Sequence, residues 1–328
     1  MATLAPVIDP RFAENRQAFR RLPAPLWSAL ALLWVVDAIW LVVAPISLSG
    51  ASYSAMAALL PLALLAGWGM LRLTGHPRVQ MLMCGIAFIL LAWPALRLFN
   101  HLTMSSAFPL ADARLSAVDA LIGFDWLGYA TWLDGHPWLL WLMDRCYTGL
   151  TLYSIALFAV LMLTRDAVER CVELMILFFA GALICSGIGM FFPAVAAFAH
   201  YAPDVRLFDN VDPAVGSYHL AHMAKLRGDP AAVIEFASLP GLVTFPSFHT
   251  AMGVIAIYCA RSNRLLFALS LAINLTMIAS TPLFGSHYLI DVIAGTLIAI
   301  ALIHLLRQAR RNRDAHSSVQ ESAKFGEW

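Results

Sequence analysis

The chain has 328 residues, 61% of them hydrophobic and only 12% charged, with a mean hydropathy of +0.75. A soluble domain carries roughly 25% charged residues, so this composition excludes an ordinary soluble core and indicates a polytopic helical membrane protein. The 21 basic and 20 acidic residues leave a formal net charge of +1, which gives no basis for a nucleic-acid partner.

Residues 1–25 are polar and carry Arg11, Arg16, Arg20 and Arg21. They run into a long apolar stretch without a short h-region and cleavage site, and read as an uncleaved cytoplasmic tail. Segments long and apolar enough to span follow at about 26–46, 53–73, 79–99, 139–163, 168–191, 245–261, 264–282 and 286–306. The expected fold is all-α: a polytopic bundle of about six to eight spans with amphipathic helices on its outer surface. Neither a repeat nor a low-complexity linker divides it, so residues 26–306 read as one membrane domain, with its chemistry in 240–300, followed by a basic cytoplasmic tail, 307–328. The five cysteines form no C-x-x-C pair and read as small buried hydrophobes.

Basic residues recur at alternate connections: Arg72 and Arg78, then Arg165 and Arg170, then Arg261 and Arg264, and finally Arg307, Arg310, Arg311 and Arg313. With an even span count these share one side with the N-terminal tail, and that side is expected to be cytoplasmic. The opposite side then holds two long segments, about 100–138 and 192–244. Within spans, Asp37 is expected to pair with another helix or stay protonated, and Asn274 and His304 to make interhelical or span-end contacts. Trp27, Trp126, Trp132 and Trp138 fit an interfacial belt.

The first outer segment carries Asp119, Asp125, Asp134 and His136 among apolar residues, and reads as amphipathic helical pieces at the interface, with acidic groups on a solvated face capping helix starts. The second contains His219, His222, Lys225 and Arg227 close to one helical face. That face is either positive charge above a phosphate or the wet side of a lid helix.

Two short runs concentrate the remaining chemistry: Phe245-Pro246-Ser247-Phe248-His249-Thr250 and Gly285-Ser286-His287-Tyr288-Leu289-Ile290-Asp291. Each opens a span from the outer side, because one helix pair separates them. Pro246 and Ser247 are helix-start residues, and a helix N-terminus attracts phosphate. His287 and Asp291 are four apart and neighbours on a helix. A carboxylate fixes the imidazole tautomer and frees the opposite nitrogen as a nucleophile, while a second imidazole, His249, can protonate a leaving oxygen. The same three residues could instead bind zinc.

Pro246-Ser247-Phe248-His249 resembles the Pro-Ser-x-His second motif of the type 2 phosphatidic acid phosphatase superfamily, and Ser280, His287 and Asp291 resemble its third, Ser-Arg-x5-His-x3-Asp. The resemblance implies His287 as nucleophile, Asp291 as its orienting partner, His249 as general acid, Ser247 and Ser280 near the phosphate, and a reaction needing no metal or other cofactor. Thr281 stands where the motif has arginine, and the family's Lys-x6-Arg-Pro first motif is absent. Lys225, Arg227 and Arg206 are the candidates to replace those cations. The same departures are similar to the inositol phosphorylceramide synthase-like branch, whose members move phosphoryl head groups between lipids. The expected function is therefore lipid head-group transfer at the outer face of the cytoplasmic membrane through a phosphohistidine. Lipid or polyprenyl phosphate hydrolysis is the alternative, and a non-catalytic lipid transporter or binding protein a further one. The expected partner is a lipid in the bilayer.

Overall fold

A computed structural model describes residues 24–325 apart from 45, 73–75, 165, 230, 237 and 238, with side chains through residue 313. Residues 1–23 with their four arginines, Arg165, and residues 326–328 lie outside the described residues. The long helices are α1 (Ala24–Val43), α2 (Gly50–Arg72), α3 (Pro77–Met104), α8 (Ala167–Gly189), α12 (Arg264–Phe284) and α13 (Leu289–Phe325). Each has a stretch long and apolar enough to cross a bilayer, that of α13 being Leu289–Arg313. The chain is an all-α polytopic integral membrane protein.

Two predicted spans take a different form. The span expected at 139–163 is delivered as α6 (Pro137–Thr148) and α7 (Leu150–Leu161), separated at Gly149. The span expected at 245–261 is α11 (Phe248–Cys259) with a 3-10 turn at Ala260–Ser262. At 1.5 Å per residue α11 is about 18 Å long, short of a hydrocarbon core of about 30 Å. It lies among longer helices, packed on α8, α12 and α13. Its inward residues Ala251, Met252, Ile255, Ala256 and Cys259 are almost wholly buried. Close approach depends on Gly295 of α13, where a Cβ would stand 2.2 Å from the Ser247 carbonyl oxygen.

One end of the bundle is tied by a buried carboxylate. Glu173 of α8 is 1% exposed and accepts from Arg170 at 2.5 Å, Arg310 at 2.7 Å and Arg261 at 2.9 Å. Two of the arginines that mark the basic side, Arg261 in the turn after α11 and Arg310 of α13, are thus cross-links to α8, while Arg170 pairs with Glu173 inside α8. Breaking such a buried set by removing one partner is costly, because it strands a charge. Asp37, 1% exposed, has no hydrogen-bond partner for either carboxylate oxygen. Asn274 bonds within its own helix, to Ser270, and the Tyr153 hydroxyl of α7 meets both side chains. His304 is exposed, and all five cysteines are free, four of them buried.

The other end carries the shorter elements: α4 (Asp112–Leu121), α5 (Trp126–Asp134), α9 (Ala197–Tyr201) and α10 (Leu220–Gly228). A parallel pair of two-residue strands, β1 (Ser47–Leu48) and β2 (Val233–Ile234), was not legible in the apolar pattern. Leu121, Trp132, Trp138 and Trp141 are exposed, as interfacial side chains are. Trp126 is not: it is 1% exposed and donates from Nε1 to the Pro282 carbonyl at the C-terminus of α12. The expected belt loses this member because an orphan helix-end carbonyl needs a donor.

Candidate active site

The loop Gly285–Tyr288 between α12 and α13 carries His287, and it is held from both sides. On the α12 side, Trp126 and Tyr129 of α5 donate to the carbonyls of Pro282 and Ala279. On the α13 side, Asp119 of α4 accepts from the first amides of the helix, Leu289 N at 2.7 Å and Ile290 N at 2.9 Å. Ser286 in the middle sits at φ +54°, a left-handed conformation uncommon outside glycine. It is fixed by α9, whose amides Ala197 N and Phe198 N donate to the Ser286 carbonyl and Oγ.

The outer acidic residues are therefore braces. Asp112 accepts from Val195 N, Ala196 N and the Tyr288 hydroxyl, and Asp134 accepts from the amides of Asp209, Asn210 and Val211. Solvated capping residues were expected, and Asp125 is one, exposed at the start of its helix, but Asp112, Asp119 and Asp134 are 5%, 0% and 7% exposed. The correction has a simple cause. The amides they serve belong to loops that fold over them, so the carboxylates are covered by what they cap. Burial pushes the Asp119 carboxyl above the usual range despite its two amide bonds. At Asp134 burial pushes the same way, but three amides outweigh it and hold the group below that range. Asp125 caps its own helix through Gly128 N, and His136 Nδ1 donates to the Trp132 carbonyl. Asp119→Ala is expected to lower stability by about 1–2 kcal/mol, the usual loss for a cap. Thermal unfolding in detergent reads this, with a larger proportional loss of turnover because the displaced helix start carries the His287 loop.

His287 and Asp291 meet as their spacing suggests, but not on one helix face. α13 begins at Leu289, so His287 lies in the loop and folds back over the helix start. Its Nδ1 is 3.0 Å from Asp291 Oδ2, and that oxygen also accepts from Tyr288 N at 3.1 Å. Asp291 leaves Nδ1 as the protonated nitrogen and Nε2 with its lone pair. Nε2 faces Ser247 Oγ at 3.4 Å. Ser247 is the N-cap of α11, accepting from Thr250 N, and its own amide donates to the Asp291 carbonyl. Pro246 stands outside the helix, one residue before the cap, instead of at the first helical position.

His249 lies on the first turn of α11, stacked on Tyr147 of α6 with ring centroids 4.5 Å apart and planes 15° apart. Tyr147 connects the two histidines. A Cβ built on Gly285 would be 2.4 Å from His287 Cδ2 and 2.6 Å from the Tyr147 hydroxyl, so glycine lets both groups close over one point. Three of the predicted residues, His249, His287 and Asp291, thus form one cluster with Ser247 at the N-terminal ends of α11 and α13.

The other predicted residues lie apart. Ser280 is a turn down α12, its hydroxyl on the Met277 carbonyl at 2.6 Å. Arg227 donates to the carbonyls of Ser106 and Phe108, and Arg206 is exposed and paired with Asp204. Lys225 lines a separate cavity. His219 caps α10, is 2% exposed, and contacts the Val195 carbonyl at 3.1 Å, within electrostatic range of His287. Burial holds its ring below the usual imidazole range.

Two groups at the cluster were not anticipated. Tyr218 meets the Tyr147 hydroxyl. Arg97 of α3 lies within electrostatic range of both His249 and Tyr218, and donates to the Leu239 carbonyl with its guanidinium 5.0 Å from the Trp93 ring. Its signal was present: an arginine inside an apolar span is a functional candidate by default. The arrangement brings together two imidazoles and the hydroxyls of Ser247 and Tyr147, with a guanidinium within electrostatic range, groups of the kind phosphoryl transfer uses.

Neither the curated proteins nor the solved structures give a match to the chain. A family model described as PAP2 superfamily matches residues 113–305. That match covers more than half of the chain and takes in both histidine runs together with the carboxylate that caps α13. The chain therefore belongs to the PAP2 superfamily, and its chemistry is of the lipid-phosphate phosphatase or phosphotransferase type.

Proposed function

We propose that the protein transfers a phosphoryl-bearing head group from one lipid to the hydroxyl of another through a phosphohistidine on His287. His287 Nε2 attacks phosphorus, the bond from phosphorus to the leaving oxygen breaks, and protonated His249 gives that oxygen its proton. An acceptor hydroxyl then loses its proton to His249 and attacks phosphorus, and the phosphorus–nitrogen bond breaks. Asp291 holds the Nδ1 proton and the positive charge that develops on the ring. Ser247, already facing Nε2, donates to a phosphate oxygen, and Arg97 supplies the cation that Thr281 and the absent first motif do not. The observation that carries the reading is the His287 ring, with Nδ1 on Asp291 and Nε2 turned to Ser247 at 3.4 Å. The departures at Thr281 and the first motif favour transfer over hydrolysis, in line with the head-group-transferring branch. The arginine-rich end is cytoplasmic on this reading, with the site facing the exterior of the cytoplasmic membrane and both chain ends inside.

The test is purified protein in detergent with phospholipid donors and hydroxyl-bearing lipid acceptors, products identified by mass spectrometry. A new lipid carrying the donor's head group is the expected product. Release of free phosphate alone makes the protein a phosphatase. Lipid movement across vesicles without either product overturns the catalytic reading. Activity is also expected to survive a strong chelator unchanged, since no step above uses a metal. Loss in EDTA with restoration by zinc replaces this mechanism with a metal-dependent one.

A further inference from the structure

A general acid has to hold its proton before substrate arrives, and the surroundings of His249 work against that. The ring is half-buried on the first turn of α11. The Arg97 guanidinium and the His287 ring both lie within electrostatic range, and each opposes a positive charge there. The fold treats the two imidazoles differently. Asp291 of α13 is committed to His287, 3.0 Å from its Nδ1, whereas among the described residues no carboxylate pairs with His249. The remaining charged and titratable groups packed on α11 face its other end. Glu173 of α8 meets Tyr258 there, together with Arg261 and Arg310, and Tyr153 of α7 lies near Cys259.

What faces His249 instead is the flat of an aromatic ring. Tyr147 of α6 stacks on it, with centroids 4.5 Å apart and planes 15° apart. The face of an aromatic ring is negative, and it attracts a cation within about 6 Å of its centroid, more strongly where water is kept out. Tyr147 is buried, so water does not screen the pair. Its ring is also prevented from turning away. The hydroxyl meets Tyr218, and the Phe284 ring follows at 6.3 Å and 30°.

We propose that Tyr147 is a positioning residue for proton transfer, whose ring face stabilises the imidazolium of His249 and keeps the acid charged beside Arg97. The inference rests on the reading of His249 as proton donor and says what allows it to be one. The two histidines then have different supports suited to different tasks. A carboxylate holds His287 in the tautomer that frees Nε2. A neutral aromatic face favours the charged form of His249 without forming a hydrogen bond that would tie up a ring nitrogen, so both nitrogens stay free to pass a proton. In this role the electron density of the Tyr147 ring matters, and its hydroxyl serves only to hold the ring in place.

The experiment uses the full chain in detergent, labelled at its histidines and titrated by NMR without phosphate, the His249 signal being assigned by its loss in His249→Ala. The His249 ring is expected to give up its proton about one pH unit lower in Tyr147→Leu than in wild type. Tyr147→Phe keeps the ring face and is expected to leave that titration in place, whatever rate it loses with the hydroxyl. Mono-, di- and trifluorinated phenylalanines in place of Tyr147 keep the shape but withdraw electron density from the face, and are expected to lower the titration stepwise. They decide the matter if Tyr147→Leu fails to fold. Activity is read with phosphatidic acid and phosphatidylinositol as lipid substrates and p-nitrophenyl phosphate as the aryl one. On lipid, the alkaline limb of kcat/KM is expected to move to lower pH by the same shift, because it marks loss of the proton from the acid in the free enzyme. The first-step burst from p-nitrophenyl phosphate is expected to change by less than about threefold, since its leaving group needs no proton. An unmoved His249 titration in Tyr147→Leu and across the fluorinated series, or one displaced equally by Tyr147→Phe, overturns the proposal. A displaced titration with an unmoved alkaline limb leaves the stack standing and overturns the assignment of His249 as proton donor instead.

Discussion

His287→Ala is expected to reduce turnover by at least about 10⁴-fold, to the limit of detection, while the protein stays folded. The loss is large because the nucleophile itself is removed: His287 presents Nε2 to the cluster with Nδ1 tied to Asp291. Folding is expected to survive because Asp291 Oδ2 keeps its bond to Tyr288 N, and Asp119 keeps the start of α13. His287→Asn is the stricter variant, since an amide can donate to Asp291 as Nδ1 does but offers no nucleophile. The His249 variant separates the two roles. Its imidazole protonates a leaving oxygen, so His249→Ala is expected to lose about 10²–10⁴ on lipid substrates, while the first-step burst from an aryl phosphate, whose leaving group needs no proton, recovers to within about tenfold of wild type. On that substrate the second step still lacks its base, so an acid-labile phosphohistidine accumulates. His287→Ala does not recover on any leaving group. If the aryl phosphate rescued His287→Ala and left His249→Ala dead, the two assignments would have to be exchanged.

What made this site readable is also what hid part of it. The all-α membrane fold follows from composition, because so few charges over so much apolar chain leave no other solution. His249, His287 and Asp291 stand out because polar groups at span openings are rare. Their spacing found the right pair for an inexact reason: the four-residue interval suggested one helix face, whereas the bond is made by a loop folded over a helix start. The braces were harder to find. Asp119 serves amides 170 residues away, and Asp112 serves one 84 residues away. No periodicity connects a carboxylate on one surface helix to the first turn of a distant span, and only the folded chain reveals it. The cations were misplaced for a related reason. Lys225, Arg227 and Arg206 were picked from the polar outer segment, but Arg227 and Arg206 are bound to neighbours there, and Lys225 faces another cavity. Arg97 lies near the end of an apolar run, far in sequence from the motifs in 240–300, and nothing in the pattern connects it to them.

Arg97→Ala is expected to lower kcat/KM by about 10²–10³, the usual loss when a charge partner of a transferring phosphoryl group is removed. The argument starts from the cost of keeping it. A guanidinium in a membrane span is expensive unless paired, and Arg97 has a carbonyl, an aromatic face and no carboxylate among its described contacts. Its five N–H donors exceed what the Leu239 carbonyl can accept, and its charge is felt at His249. An anion arriving between the histidines would supply the missing counter-charge. The competing account is that Arg97 only anchors the strap from Leu239 to Ser247, work that Asn100 shares by accepting from Leu242 N. The two accounts differ in what they measure. An anchor lost to alanine lowers the unfolding temperature and leaves inhibition by inorganic phosphate or vanadate unaltered in active protein. A phosphate partner lost to alanine weakens that inhibition in step with kcat/KM, and guanidinium ion added to the solution restores part of the rate. Arg97→Lys keeps the charge without the fork and is expected to retain roughly a tenth of wild-type kcat/KM. A lowered unfolding temperature with unchanged vanadate inhibition and no rescue by guanidinium would leave the phosphate site without a cation, held by neutral donors such as Ser247 and the tyrosine hydroxyls alone.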